Sequence, residues 1–546
     1  MMHFSTRFRS ILCGAAALLL GHHAAAQAPS IRWNHAFGGT ADDRLTAVQP
    51  TADGGYLLGG STSSGLSGNH SQASFGGFDY WVVKLDAAGV KQWDRKFGGT
   101  GEDRLTSLQQ TADGGYIVGG QSNSGISGNK TQGSRGGFDM WVVKLDAMGT
   151  KVWDRALGSN TDDRLASIRQ TPDGGYIVGG QAESGINGDR STAGHGSLDY
   201  WLVKLDAAGT KLWDNSLGGV SNDVLGAVQP TTDGGYIVGG FSYSGISGDK
   251  SQNTRGNGDY DFWVVKVSAT GTKVWDSTFG GTGFDNLTSL VQANDGGYLA
   301  GGFSNSGVSG EKTQGNRGDY DNWIVKISPT GAKVWDYTFG GDGYDSLNSL
   351  AQTADHGYIF GSQSNSGLNG EKTQANFGPS NTPDYWVVKV DSVGTKQWDG
   401  TYGGAQDEVL TSLRQTTDGG FALGGFSSSG ISGTRTEASQ GNFDFWVVRL
   451  NARPLAATTA TPTQPLTLYP NPACRAFTVQ LPAAAPTAGL RLQLLDATGR
   501  TVRQQAINTP INTRLEVVCD DLPAGFYLVQ VQGPGGYRQT QRLTLE

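Results

Sequence analysis

The chain has 546 residues, with 41 Lys plus Arg against 49 Asp plus Glu and a formal net charge of −8. No run of positive charge is concentrated enough to hold phosphates, which excludes nucleic acid as a partner. Gly reaches 85 residues, yet 14 Trp, 18 Tyr and 21 Phe exclude a flexible low-complexity chain, so Gly must be punctuating structure.

Residues 1–26 read as a secretory signal: Arg7 and Arg9 precede an apolar stretch from Ile11 to Leu20, and Ala24, Ala25 and Ala26 precede Gln27. Cys13 lies within that stretch behind Leu12, the wrong setting for lipid attachment. The stretch is about half of the roughly 20 residues a spanning helix needs, and nothing later is longer or as apolar, so no membrane span is expected.

From residue 31 to residue 450 the sequence repeats. Asp-Gly-Gly-Tyr begins at Asp53, Asp113, Asp173, Asp233 and Asp295, with variants at Asp355 (Asp-His-Gly-Tyr) and Asp418 (Asp-Gly-Gly-Phe), spaced 60, 60, 60, 62, 60 and 63. In the second unit, Leu105–Thr111 and Tyr116–Gln121 flank the Asp-Gly-Gly turn as one hairpin. After a loop rich in Ser, Gly, Asn and Lys, Met140–Leu145 and Lys151–Arg155 form a second hairpin. Four strands per unit at this period predict a propeller blade, and their nearly continuous apolar runs fit sheets covered on both faces. The ends are complementary: Trp33–Phe37 is a fourth strand with no blade before it, and the last unit, after Trp446–Leu450, lacks one. The expectation is an all-β chain, residues 27–450 forming a seven-bladed β-propeller closed by the N-terminal strand. A solenoid would want distinct caps instead.

All 14 Trp fall in the repeats, two per blade, which reads as packing. The loop between strands two and three repeats as Ser-x-Ser-Gly-Ile-Ser-Gly-x-Lys-Thr-Gln and emerges on the same face as the connections between blades. Near its end one position varies: Phe75, Arg135, His195, Arg255, Arg317, Phe377 and Gln440. Aromatic and Arg side chains dominate interface energetics, so this ring is the expected ligand-binding site, tolerated surface residues being the other reading. Two carboxylate rings also repeat. Asp103 and its equivalents Asp43, Asp163, Asp223, Asp285, Asp345 and Asp407 follow a Gly-rich turn; Asp79, Asp139, Asp199, Asp261, Asp321, Asp384 and Asp444 precede the third-strand Trp. Holding turn backbone explains them. Calcium, with about six to eight oxygen ligands, is the alternative, densest at Asp259 with Asp261 and Asp319 with Asp321. No other cofactor is indicated. No nucleophile with a positioned base is visible, and no single blade stands out as altered for chemistry. The Trp-Asp pairs resemble those of WD repeats, but the Gly-His partner is missing.

Residues 451–465 form a Pro and Thr linker. Residues 466–546 show short strands with turn signals between them, as in a small β-sandwich. Tyr469-Pro-Asn-Pro472, Leu495-Asp-Ala-Thr-Gly-Arg500, Leu522-Pro-Ala-Gly-Phe-Tyr-Leu-Val529 and a closing strand through Arg542 occur in that order. Together they resemble the type A sorting domain of the type IX secretion system. The resemblance implies export across the outer membrane, the domain being read by the translocon and commonly removed afterwards. The repeats likewise look like Gly-Gly-Tyr propellers that accompany such domains. Cys474 and Cys519 form either a local disulfide or two buried thiols. The expected function is extracellular binding or adhesion, through the long-loop face, to a glycan or surface protein. A polysaccharide-degrading hydrolase or lyase is the alternative, and a structural surface role the third.

Overall fold

A computed structural model describes residues 27–452 except 184 and 257, and residues 466–546 except 482–488, 497–499, 508–513 and 534–537. The expected signal at 1–26 and the linker beyond 452 lie outside the described residues. The chain divides into two compact units, Met1–Arg453 and Pro454–Glu546.

The described part of the first unit is all strand and turn, gathered into seven four-stranded antiparallel sheets, numbered here one to seven. Sheet two shows how sequence dictates each element. Its first strand, Asp103–Gln110, joins the second, Tyr116–Ser122, through the Asp-Gly-Gly turn. Gly114 sits at φ 81° and the Asp113 carboxylate accepts the Gly115 N–H at 3.0 Å. The third strand, Asp139–Leu145, is buried throughout, which is why it is apolar without alternation. Its Trp141 is fully buried, worth roughly 4–6 kcal/mol of gross burial. The indole N–H donates to Asp154 at 3.1 Å, so the Asp of the Trp-Asp pair is the acceptor for a buried donor. Lys144, from the same strand, reaches back to Asp113 at 2.9 Å. The fourth strand is Lys151–Leu157.

One bond recurs between neighbouring sheets, made from sheets one, two, five, six and seven, whereas Ala166 and Gly226 at the same position of sheets three and four cannot make it. The first strand shifts register between Leu105 and Ser107, and there the Thr106 hydroxyl donates to the Leu165 carbonyl of sheet three at 3.0 Å. Thr46 makes the same bond to Leu105, and Thr411 of sheet seven makes it to Leu45 of sheet one, both at 2.9 Å. Sheet seven takes its first three strands from Glu408–Gln415, Phe421–Ser427 and Asp444–Leu450. Its fourth is Ile31–Phe37, paired antiparallel with Asp444–Leu450 so that Phe37 faces Phe445. The first strands of all seven sheets line a common cavity of about 420 Å³.

In the second unit, Thr467–Tyr469, Ala476–Gln480 and Arg514–Val518 make one sheet; Leu490–Leu495, Thr501–Ile507, Gly525–Gln532 and Arg538–Leu545 make another. Phe477, Val479 and Val517 from the first share a core with Leu492, Leu494, Val529 and Val531 from the second. The disulfide is not formed: Cys474 is an exposed free thiol and Cys519 a buried one. The reason is register. The Cys519 N–H bonds to the Arg475 carbonyl, so Arg475 and not Cys474 stands opposite Cys519.

Candidate functional site

The pairing of Asp103 with Ser122 and of Ser122 with Asp139 sets the start of the first strand, the long loop and the start of the third strand at one end of the sheet. The repeated polar residues of the loop hold that end together. The buried Lys130 ammonium donates to the Ser122 and Ser134 hydroxyls and to the Ser124 carbonyl. Thr131 donates twice to Asp154, and the Gln132 amide oxygen accepts the Ala156 N–H. Gly128 lies at φ 57°, where a Cβ would meet the Gly98 carbonyl at 2.3 Å, so only Gly serves there.

The variable ring expected to bind ligand makes contacts between consecutive loops. Arg255 grips Glu311 through Nε and Nη2 at 2.6–3.1 Å, Arg317 meets Glu371 at 2.6 Å, and Arg135 pairs with Asp189. His195 lies 3.2 Å from Asp249, and the Gln440 amide donates to Asn69 of sheet one at 2.8 Å. Phe75 and Phe377 pack beside Gly128 and Gly433 of the following loops. At all seven positions the backbone N–H donates to the third-strand Asp, as Arg255 does to Asp261 at 2.7 Å and Arg317 to Asp321 at 2.9 Å. The calcium quartet therefore does not converge: Asp261 and Asp321 are fully buried in that backbone role, and Asp319 is exposed. Among the described residues no group of three or more His, Cys, Asp or Glu is placed to hold a metal ion.

The two carboxylate rings meet. Gly98 threads between Asp79 and Asp103 so closely that a Cβ there would lie 2.0 Å from one carboxylate and 3.0 Å from the other. The same fully buried pairing recurs at each junction: Asp139 with Asp163, Asp199 with Asp223, Asp261 with Asp285, Asp321 with Asp345, Asp384 with Glu408, and Asp444 with Asp43. Sheet seven corrects the sequence assignment. Glu408, not Asp407, pairs with Ser427 as Asp103 pairs with Ser122; Asp407 sits one residue early. Burial, reinforced by the neighbouring acid, pushes Asp79, Asp163, Asp321 and Asp444 up to about 6, Asp261 to about 7 and Asp384 to about 8. Six of the seven pairs have a buried cation beside them, the loop Lys in sheets two, four, five and six and an Arg in three and seven. In sheet one the His70 imidazole stands in that place, 2.9 Å from Asp43. Fully buried pairs cannot touch a polymer, which removes the closest acids from the hydrolase alternative.

The loop end is not seven-fold uniform. In sheets one to three, Arg44, Arg104 and Arg164 pair with Asp42, Glu102 and Asp162 at 2.8–3.0 Å. They lie over Phe443, Phe78 and Phe138. In sheets four, five and six the Arg position holds Val224, Asn286 and Ser346, and aromatic rings gather around it. Tyr260 lies 5.0 Å from Tyr243 and 4.9 Å from Phe284, and Tyr320 lies 5.5 Å from Tyr344 and 5.6 Å from Phe303. None of the five named first in this arc is buried, and Tyr243 is 36 % exposed. Its members are scattered from 243 to 344, and only comparison of like positions across the repeats reveals the change. A further feature is regular: Leu66, Ile126, Ile186, Ile246, Val308, Leu368 and Ile431, one per loop, are each 64–75 % exposed.

Over 303 residues the chain is 25 % identical to the regulatory protein FlaEY of Caulobacter vibrioides, a match that takes in 50 % of this chain and 30 % of that relative. Hydrazine synthase of Kuenenia stuttgartiensis matches with a TM-score of 0.41 at 10 % identity, over 76 % of this chain and 98 % of its own. The WD40 domain of Neurospora crassa Pan2 matches with a TM-score of 0.31 at 10 % identity, over 61 % and 94 %. Among the described residues no helix is long and apolar enough to cross a membrane. Residues 467–546 match the secretion system C-terminal sorting domain, and that domain marks the chain for the type IX machinery and for export to the cell surface or beyond.

Proposed function

We propose that the exported chain is an extracellular binding module: the seven sheets close into a seven-bladed β-propeller, and its long-loop face captures a glycan. The observation that carries the reading is the aromatic arc of Tyr243, Tyr260, Phe284, Tyr320 and Tyr344. Half-exposed tyrosines offer an apolar face for a sugar ring and a hydroxyl for its polar edge. The arginines of the variable ring are less suited, because a ligand would first have to break their ion pairs with the next loop. The test is retention of the exported chain on immobilised polysaccharides, with the eluted polymers checked for shortening. Tyr243→Ala with Tyr320→Ala should weaken retention at least about tenfold, the loss of one or two good contacts. Arg104→Ala, on the opposite arc, should leave it unchanged. Equal retention by the tyrosine variant would overturn the site, and shortened polymer would make the chain an enzyme.

A second reading has its own support. A ring of exposed aliphatic side chains at one loop position is the kind of patch that marks a protein contact. Capture of a surface protein that is lost in Ile126→Ser with Ile246→Ser, and kept in the tyrosine variant, would favour it.

A further inference from the structure

The cavity lined by the seven first strands carries a second, asymmetric feature that the loop face does not use. Each first strand begins at the loop end and runs toward the Asp-Gly-Gly turns, so its seventh residue lies toward the far end of the cavity. That position is Gln49, Gln109 and Gln229 in sheets one, two and four, Arg169 and Arg414 in three and seven, and Val291 and Ala351 in five and six.

The lining of the cavity contains no acid: Arg169 and Arg414 are its only charged residues. Both are seated on the wall. The Arg169 Nη1 donates to the Ser107 hydroxyl at 3.0 Å and to the Ile168 carbonyl at 2.7 Å. The Arg414 Nη1 donates to the Ser349 hydroxyl at 3.2 Å and to the Leu413 carbonyl at 2.7 Å. The other donors of both guanidiniums meet no protein acceptor among the described residues. Gln49 and Gln109 add to the donor set. Each spends its amide oxygen on a backbone N–H, of Gln110 at 2.7 Å and Gln170 at 2.8 Å. That fixes which end of each amide is left, and it is the NH₂. Burial, and after it the charge of Arg414, lowers the Arg169 guanidinium to about 10, so each cation raises the cost of the other. Two like charges share this cavity, and its lining supplies no counter-charge to either.

We infer that this cavity is a binding site for a small multivalent oxyanion, held between Arg169 and Arg414 with the Gln49 and Gln109 amides as further donors. Planar guanidinium forks suit carboxylate, sulfate and phosphate oxygens alike. A cavity of about 420 Å³ admits a group of the size of citrate but not a polymer.

The test is calorimetric titration and thermal denaturation of the exported chain with sulfate, inorganic phosphate and citrate, at ionic strength held constant with chloride. The expected result is saturable binding of at least one of them and a rise in Tm that tracks its occupancy. In Arg169→Gln and in Arg414→Gln the affinity should fall by at least roughly tenfold, while Tm without oxyanion stays level or rises as the like-charge repulsion is relieved. A non-saturable response, or the same response in both variants, would overturn the site. Should a variant fail to fold, saturation against linear salt dependence in the native chain decides the question. Citrate in preference to sulfate and phosphate would identify the ligand as a carboxylate; the reverse would identify a tetrahedral anion. The Tyr243→Ala, Tyr320→Ala protein should bind the oxyanion normally, which separates this site from the loop face.

Discussion

His356 is the single described residue other than glycine at positive φ, 64°, in the turn where the other six repeats place Gly. Glycine is used there because the left-handed region costs a residue with a Cβ about 1–2 kcal/mol. His356 recovers part of that through a contact of 3.2 Å between its Nδ1 and the Asn294 amide. His356→Gly should therefore stabilise the first unit, by about 0.5–1 kcal/mol once the lost contact is set against the relieved strain. Calorimetric melting of the two proteins checks this, and a lower Tm for the Gly variant would show that the Asn294 contact outweighs the backbone. The turn itself was legible residue by residue: Asp accepts, Gly turns, and the aromatic that follows packs against the fourth-strand Trp of the preceding sheet, as Tyr176 does on Trp153. The contacts of the variable ring were not legible, because consecutive loops meet only in the folded chain. What each position needs is a backbone N–H for the third-strand Asp and a side chain matched to the next loop. Arg135 with Asp189, Arg255 with Glu311 and Arg317 with Glu371 meet that need in related ways.

At the level of the turns and junctions, two sets of carboxylates bend stability with pH in opposite senses. In the turns, burial tends to raise Asp53, Asp113 and Asp173, but bonds from the third-strand Lys, the turn Thr and the Gly N–H outweigh it and hold them at about 2. Their contribution is complete above the ordinary carboxyl range and is lost as pH falls through about 2. At the junctions, burial holds Asp79 at about 6, Asp261 at about 7 and Asp384 at about 8, so the folded protein keeps protons that the unfolded chain has released. Their contribution is complete below about pH 4 and is lost as pH rises through 6 to 8. Above that the loop lysines Lys250, Lys312 and Lys372, pushed down to about 8 by burial, shed their own protons and level the decline. Tm should peak near pH 4–5 and fall toward pH 8. Asp384 faces Glu408, the Phe377 N–H and Lys372. Asp384→Asn puts a neutral donor against Glu408 and should flatten the neutral limb by about one proton. A Tm unchanged from pH 5 to 8 in the native chain would show that these pairs carry no linked proton. None of this was visible in sequence beyond the repetition of Asp, because the pairing joins the third strand of one sheet to the first strand of the next.

The order of strands was the most legible property of the whole molecule, since each element is stamped seven times and the unmatched fourth strand at Trp33–Phe37 answers the missing one after Leu450. The aromatic arc and the two cavity arginines were hidden by the same repetition, which draws attention to what recurs and away from Tyr243, Tyr260, Arg169 and Arg414. Strand Ile31–Phe37 links the two ends of the first unit across roughly 400 residues of sequence, so its removal should cost more than one strand's contacts. Asn34 accepts the buried Trp446 indole N–H at 3.2 Å, and Glu437 accepts the Ala36 N–H at 2.7 Å. Without the strand, that indole and the edge of Asp444–Leu450 lose their partners at once. A chain beginning at Gly38 should therefore lose its cooperative melt or melt at least about 10 °C lower, given that unpaired buried donors cost about 1–3 kcal/mol each and the strand satisfies several. If the defect comes from ring closure and not from loss of mass, position in the chain is irrelevant. Residues 27–37 placed after Asn451 through a short Gly-Ser linker should then restore most of the lost Tm. Full stability of the truncated chain would mean that three strands suffice in sheet seven and that the seven sheets do not depend on closure.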